Sequence, residues 1–173
     1  MTIKERLQKV KLLIMDVDGV LTDGKIIFDD RGGELKFFDV QDGLGVVILR
    51  RAGIKTAIIT AKGSKVVERR SADMQVDKLY QDADDKTVAF EHLLQELDLK
   101  AEEACFIADE LIDLPVIKKA GFAVAVKNAA PEVKEHAHYI TKRSGGNGAV
   151  REVIEMILKA QNKWKAAIAK YTV

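Results

Sequence analysis

Asp16 and Asp18 stand directly after an apolar run, Leu12-Leu13-Ile14-Met15, and directly before Gly19. In extended backbone, residues i and i+2 point to the same side, so the two carboxylates face one spot. Gly19 lets the chain turn sharply where a Cβ would obstruct. Two acids held that close repel, and keeping both ionised requires a cation or a shared proton. A hard divalent ion with oxygen ligands, Mg²⁺ above all, is the natural resolution. A helix cap plus a turn aspartate is the bland alternative, but two acids behind a buried strand are costly without a task.

Three later features supply what such a pair needs. Thr60 ends a second apolar run, Ala57-Ile58-Ile59, where its hydroxyl could bond an anion, although threonine is also an ordinary helix cap. Lys86 opens a helical pattern after Asp-Ala-Asp-Asp at 82–85, and reads either as a surface charge or as a point charge for phosphate. Asp109 follows Ala-Cys-Phe-Ile-Ala at 104–108, which places it beside the first pair as a third metal ligand. Asp113, one helical turn on, could orient Lys86.

These positions require a frame. Apolar β-type runs cover 11–16, 55–60, 78–80, 104–108, 122–126 and 138–141, with helical patterns such as 85–97 between them. Strands that are apolar throughout, not alternating, suit a parallel sheet buried on both faces. The prediction is a doubly wound (Rossmann-like), mainly parallel α/β fold in a single domain spanning 1–173. Such open sheets bind ligands at the carboxyl ends of their strands.

One segment breaks the alternation. Residues 25–38 read as a β-hairpin around Asp-Asp-Arg-Gly-Gly, with Ile26, Phe28 and Phe37 at period two. A lone hairpin is marginal in water, so its apolar side needs cover from the same domain or from another subunit. Residues 150–171 read as one amphipathic helix with Ile154, Ile157, Gln161, Trp164, Ile168 and Tyr171 along a seam and a basic face outward. The run 143–148 is either a flexible turn or a surface of backbone amides for a carboxylate.

With 173 residues, 47% hydrophobic and 32% charged, the chain can fill a core and wet its surface, which excludes a disordered or fibrous protein. No run approaches the roughly 18–20 apolar residues of a membrane span, and the start lacks a secretory signal's apolar stretch. A net charge of +1 offers no field for nucleic acid or an anionic membrane. The lone Cys105 excludes an internal disulfide, fits a reducing cytoplasm and reads as a packed core thiol. His92, His136 and His138 lack zinc-like spacing. The expected partner is a small molecule.

Taken in order, the carboxylate pair, Thr60, Lys86 and the acidic cluster resemble the haloacid dehalogenase superfamily of phosphohydrolases. Asp-Val-Asp-Gly-Val-Leu-Thr-Asp-Gly at 16–24, the hairpin with Asp42-Gly43 behind it, and Gly-Gly-Asn-Gly-Ala-Val-Arg-Glu at 145–152 are similar to its small capless branch. That branch is typified by 3-deoxy-D-manno-octulosonate 8-phosphate phosphatase. The resemblance implies a Mg²⁺-dependent phosphomonoester hydrolase acting on a sugar-acid phosphate in lipopolysaccharide precursor synthesis, through an aspartyl-phosphate. It implies that Asp16 attacks phosphorus while Asp18 protonates the leaving alcohol and then activates water. Mg²⁺ would be held by Asp16, the Asp18 carbonyl and Asp109. Thr60, Lys62, Lys86, Asp42 and Gly43 would contact substrate, with Asp113 and Glu110 in support. A cytoplasmic homotetramer is implied too, its hairpins assembling and its tails approaching neighbouring sites.

The chain departs from the family pattern in three places. Ala108-Asp109-Glu110 replaces Gly-Asp-Asp, Ala61-Lys62 replaces Gly-Arg, and Gln41 stands where many relatives carry arginine. Lys62 substitutes a point charge for a planar fork. Two further readings follow: a phosphatase for a nine-carbon acid-sugar 9-phosphate, and a weakened, non-catalytic oligomeric relative. A phosphorylation-receiver domain shares the acids, Thr and Lys, but its acceptor would follow the third strand, which here ends Tyr80-Gln81.

Overall fold

In the computed structural model residues 1–172 are described. The chain runs α1 (Ile3–Lys9), β1 (Leu12–Met15), a hairpin of β2 (Ile27–Phe28) and β3 (Glu34–Leu35), then α2 (Val40–Arg51), β4 (Lys55–Ile59), α3 (Lys65–Asp73) and β5 (Lys78–Tyr80). It continues through α4 (Lys86–Glu96), β6 (Ala104–Ala108), α5 (Leu114–Ile117), β7 (Phe122–Ala125), α6 (Pro131–His136), β8 (Tyr139–Ile140), α7 (Ala149–Ala160) and α8 (Trp164–Ile168).

Six strands form one sheet in the order β5-β4-β1-β6-β7-β8, with every pairing parallel. β1, β6 and β7 bury every residue, because a sheet covered by crossover helices has no wet face. Helices α1, α2 and α7 pack as one group and α4, α5 and α6 as another. This is the doubly wound α/β arrangement expected from the apolar runs. The chain leaves β1 towards β4 and β5, then returns to β6 on the other side of β1. The strand order therefore reverses at β1, and the loops after β1, β4 and β6 open onto one crevice.

The hairpin pairs only Ile27 with Leu35 and Phe28 with Glu34, apart from the main sheet. Its turn is pinned by Asp29, whose carboxylate accepts the N–H groups of Arg31 (2.9 Å) and Gly33 (2.6 Å). Cross-strand partners share a face. Phe28 thus lies with Glu34 and Ile27 with Leu35, so apolar side chains fall on both faces of the paired residues. Ile26, Phe28, Leu35 and Phe37 all stay exposed in this chain.

The tail also differs from its expected form. α7 stops at Ala160 and α8 begins at Trp164, so residues 150–171 are not one helix. Asn162 takes a left-handed conformation (φ 58°), its N–H bonding to Lys159 O (3.1 Å) while Lys163 N–H bonds to Leu158 O (2.8 Å). That pair of bonds terminates a helix, and asparagine tolerates the conformation better than most residues. Trp164 then folds back between the Arg151 and Lys159 cations, 5.3 and 5.4 Å from its ring.

Candidate active site

β1 delivers Asp16 to the crevice, and the loop behind it coils around one carbonyl. Val17 O accepts the N–H groups of Val20, Leu21 and Thr22 at 3.2, 2.9 and 3.1 Å, with all three apolar side chains of the loop buried. Gly19 sits at φ +85°, and a Cβ there would lie 1.9 Å from Asp109 Oδ2. Both the turn and the close approach demand glycine. The run 143–148 presses on this loop from outside: Gly146 N–H bonds to Val20 O (3.0 Å), and a Cβ on Gly145 would meet Gly19 O at 1.7 Å. Asn128 bridges the two, accepting Gly145 N–H at 2.7 Å and donating to Gly19 O at 3.5 Å. The glycine run is therefore a buttress, not an open amide surface.

Lys86, first residue of α4, is almost fully buried, with its ammonium 2.8 Å from Asp16 Oδ1 and 2.6 Å from Asp113 Oδ1. Burial weakens the charged ammonium, but the two carboxylates outweigh it and raise its pKa. Asp113 is held in turn, its Oδ2 accepting the N–H groups of Asp109 (3.4 Å) and Glu110 (3.3 Å). Thr60 is buried at the end of β4 and lines the same cavity, about 260 Å³, as Asp16, Asp18, Lys62, Lys86 and Asp109.

One ammonium does not balance this cluster. Asp16, Asp109 and Asp113 each bring a carboxylate oxygen within 4.8 Å of the others. Burial, and then the charge of Asp113, pushes Asp16 up to about 6, with Lys86 pulling against them. Burial followed by the charges of Asp16 and Asp113 pushes Asp109 up to about 8. Asp109 Oδ1 is buried and has no hydrogen-bond partner among the described residues. An orphaned buried carboxylate oxygen facing another acid is what a hard divalent cation satisfies, so the residues present fit such an ion.

Asp18 joins the cavity with a carboxylate that accepts a hydrogen bond from Lys36 Nζ at 2.6 Å. Lys36, Asn128 and the cavity-lining Ile112 were not signalled by the sequence motifs. Lys36 is reachable only once the hairpin folds over the loop after β1. Lys62 lies 5.5 Å from the Phe28 ring, and Glu110 accepts Leu111 N–H at 2.7 Å as a cap. Asp42 and Gly43 are not brought to this cavity. Asp42 is buried beneath α7, where Oδ1 accepts Arg151 N–H at 2.7 Å, and the Arg70 guanidinium fills the space a Cβ on Gly43 would need. Gln41 accepts Arg143 Nη1 at 2.8 Å. Cys105 is fully buried in β6, which drives its thiol far above the ordinary range, and His138 accepts Ala123 N–H at 2.9 Å.

Residues 49–154 match the family model of haloacid dehalogenase-like hydrolases, and the chain belongs to that family. A finer likeness runs over most of its length. The chain is 44% identical over 163 residues to the 3-deoxy-D-manno-octulosonate 8-phosphate phosphatase of Yersinia pestis, covering 94% of this chain and 87% of that protein. The crystal structure of the Moraxella catarrhalis phosphatase of that name, in complex with magnesium, phosphate and KDO, superposes with a TM-score of 0.95 at 43% identity, covering 97% of both chains. A haloacid dehalogenase superfamily hydrolase from Legionella pneumophila is 47% identical with a TM-score of 0.95, covering 98% of this chain and 93% of that one.

Proposed function

We propose that this chain is a Mg²⁺-dependent phosphomonoesterase that releases inorganic phosphate from an acid-sugar phosphate, 3-deoxy-D-manno-octulosonate 8-phosphate. The carrying observation is the buried Asp16–Lys86–Asp113 set beside the unpartnered Asp109 oxygen, at the strand-order reversal. Likeness to the named phosphatases over nine-tenths of the chain supplies the substrate class. Asp16, Asp109 and the Asp18 carbonyl would hold the magnesium, which when bound offsets negative charge at the phosphoryl oxygens.

In the first transfer an Asp16 oxygen forms a bond to phosphorus as the ester P–O bond breaks, and Asp18 passes its proton to the departing sugar oxygen. In the second, a water loses a proton to Asp18 as its oxygen bonds phosphorus, and the Asp16–phosphorus bond breaks. Asp16 returns as a carboxylate and phosphate leaves. Thr60 and Lys86 hold the remaining oxygens, and Asp113 keeps Lys86 aimed. The complete set of groups argues against a non-catalytic scaffold despite Ala108, Glu110 and Lys62.

Residues 1–173 act as one catalytic domain in this reading. The exposed hairpin is the surface on which further copies assemble into a homotetramer. No helix among the described residues is long and apolar enough to cross a membrane. The cytoplasm is the place of action in this reading. The test is phosphate release with Mg²⁺ over a panel of sugar phosphates that includes a nine-carbon acid-sugar 9-phosphate. The octulosonate ester should be hydrolysed with the highest kcat/KM, and Asp16→Asn should abolish turnover while the circular dichroism spectrum is unchanged. Preference for the nine-carbon ester, or residual turnover above a few per cent, would overturn the assignment.

A further inference from the structure

Lys36 leaves the hairpin just past β3 and sets its ammonium 2.6 Å from Asp18 Oδ1 and 3.1 Å from Glu34 Oε1. Its side chain is only 3% exposed, an uncommon placement for lysine on a hairpin that otherwise shows apolar groups to solvent. Glu34 also accepts the Ser64 hydroxyl at 2.5 Å, and Ser64 caps α3 right after the Thr60–Lys62 stretch that lines the cavity. Ser64, Glu34, Lys36 and Asp18 thus form one polar chain. It ties the hairpin to the loop after β4 and ends on a single oxygen of Asp18. Among the described residues, Oδ2 of Asp18 is left without a protein partner.

We propose that Lys36 is a positioning residue for proton transfer at the leaving group. By holding Oδ1 it fixes the Asp18 carboxyl, so that Oδ2 meets the ester oxygen. It acts through Asp18 and touches no reacting atom itself. The hairpin thereby serves the chemistry as well as presenting its apolar surface. This inference rests on the phosphatase reading above for the role of Asp18.

The test compares kcat/KM for an alkyl phosphate, the acid-sugar ester, with that for p-nitrophenyl phosphate, whose leaving group departs without a proton. This ratio reports the first transfer alone. A positioned acid contributes about 10²–10⁴-fold. Lys36→Met should therefore lower the alkyl ester by about 10²-fold and the nitrophenyl ester by no more than a few-fold, which also shows that the site is folded. Lys36→Arg should recover most of the loss. In an Asp18→Asn background, Lys36→Met should cost nothing further, because both changes remove one interaction. Equal losses on the two esters, an undiminished further loss in the Asp18→Asn background, or no loss at all would overturn the proposal while leaving the phosphatase reading standing. An Asp18→Asn variant that spares the alkyl ester would overturn the proposal together with the acid role of Asp18 on which it rests.

Discussion

Gly148 precedes α7 without a side chain to cap its first turn, and Asp42 of α2 does that work instead, accepting the N–H of Arg151, 109 positions on. Asp42 is 1% exposed, and Oδ2 has no hydrogen-bond partner among the described residues. Burial pushes its carboxyl up from 3.8 to about 6, with the Arg151 N–H pulling back and the charge of Asp39 adding to the rise. A folded pKa above the unfolded one means that the native chain holds the proton more tightly. The resulting stability is full below about pH 4 and is lost as pH rises through about 6. At about 1.4 kcal/mol per pH unit the whole swing is about 3 kcal/mol, of which about 1.4 kcal/mol disappears between pH 5 and pH 8. Asp42→Asn keeps a carbonyl oxygen for Arg151 N–H and cannot ionise. Urea unfolding of both proteins at the two pH values measures the gap between them, and any constant cost of the amide cancels. The gap should shift by about 1–1.5 kcal/mol in favour of asparagine at pH 8. A gap that does not move with pH would refute the account of Asp42 as a carboxylate sealed beneath α7.

Lys86→Met strips the ammonium from between Asp16 and Asp113; breaking such a buried pair costs about 3–5 kcal/mol, or about 6–20 °C of Tm at this size. A fall of less than ~3 °C by calorimetry would contradict the buried pairing. Chelation with EDTA should silence phosphate release and added Mg²⁺ should restore it, whereas unchanged rates in EDTA would remove the metal from the reading. Gly145→Ala puts a methyl 1.7 Å from Gly19 O, so the loop carrying Asp18 must shift. Misplacement on the scale of an ångström costs about 10²-fold in rate, and wild-type kcat would show that the buttress is dispensable.

What could be read from the sequence is what backbone periodicity and ladder register fix. Asp16 and Asp18 share a side because they are two residues apart, and parallel pairing aligns Met15 with both Ile58 and Ile107. With that register, Thr60 and Asp109 emerge beside Asp16 without any knowledge of side-chain packing. Lys86 is legible too, since a lysine opening a helix next to that crevice has carboxylates to meet. Asp42 lies away from the cavity because its orientation is dictated by the unsatisfied N–H groups of α7, an element that starts more than a hundred residues later and that a local motif does not reveal. Lys36 carries no sequence signal because Asp18 is its partner only where the folded hairpin meets the loop after β1, and period-two spacing does not fix the hairpin register. The tail departs in the opposite sense: its seam of spaced apolar residues continues past Asn162, yet helix continuity depends on one backbone dihedral that hydrophobic spacing does not encode. The polar bonds between distant elements are thus the layer hidden from the sequence, and two of them, Lys36 to Asp18 and Asn128 to Gly19, grip the loop that carries the chemistry. Substitutions at such bridging positions should alter turnover without touching any recognisable motif.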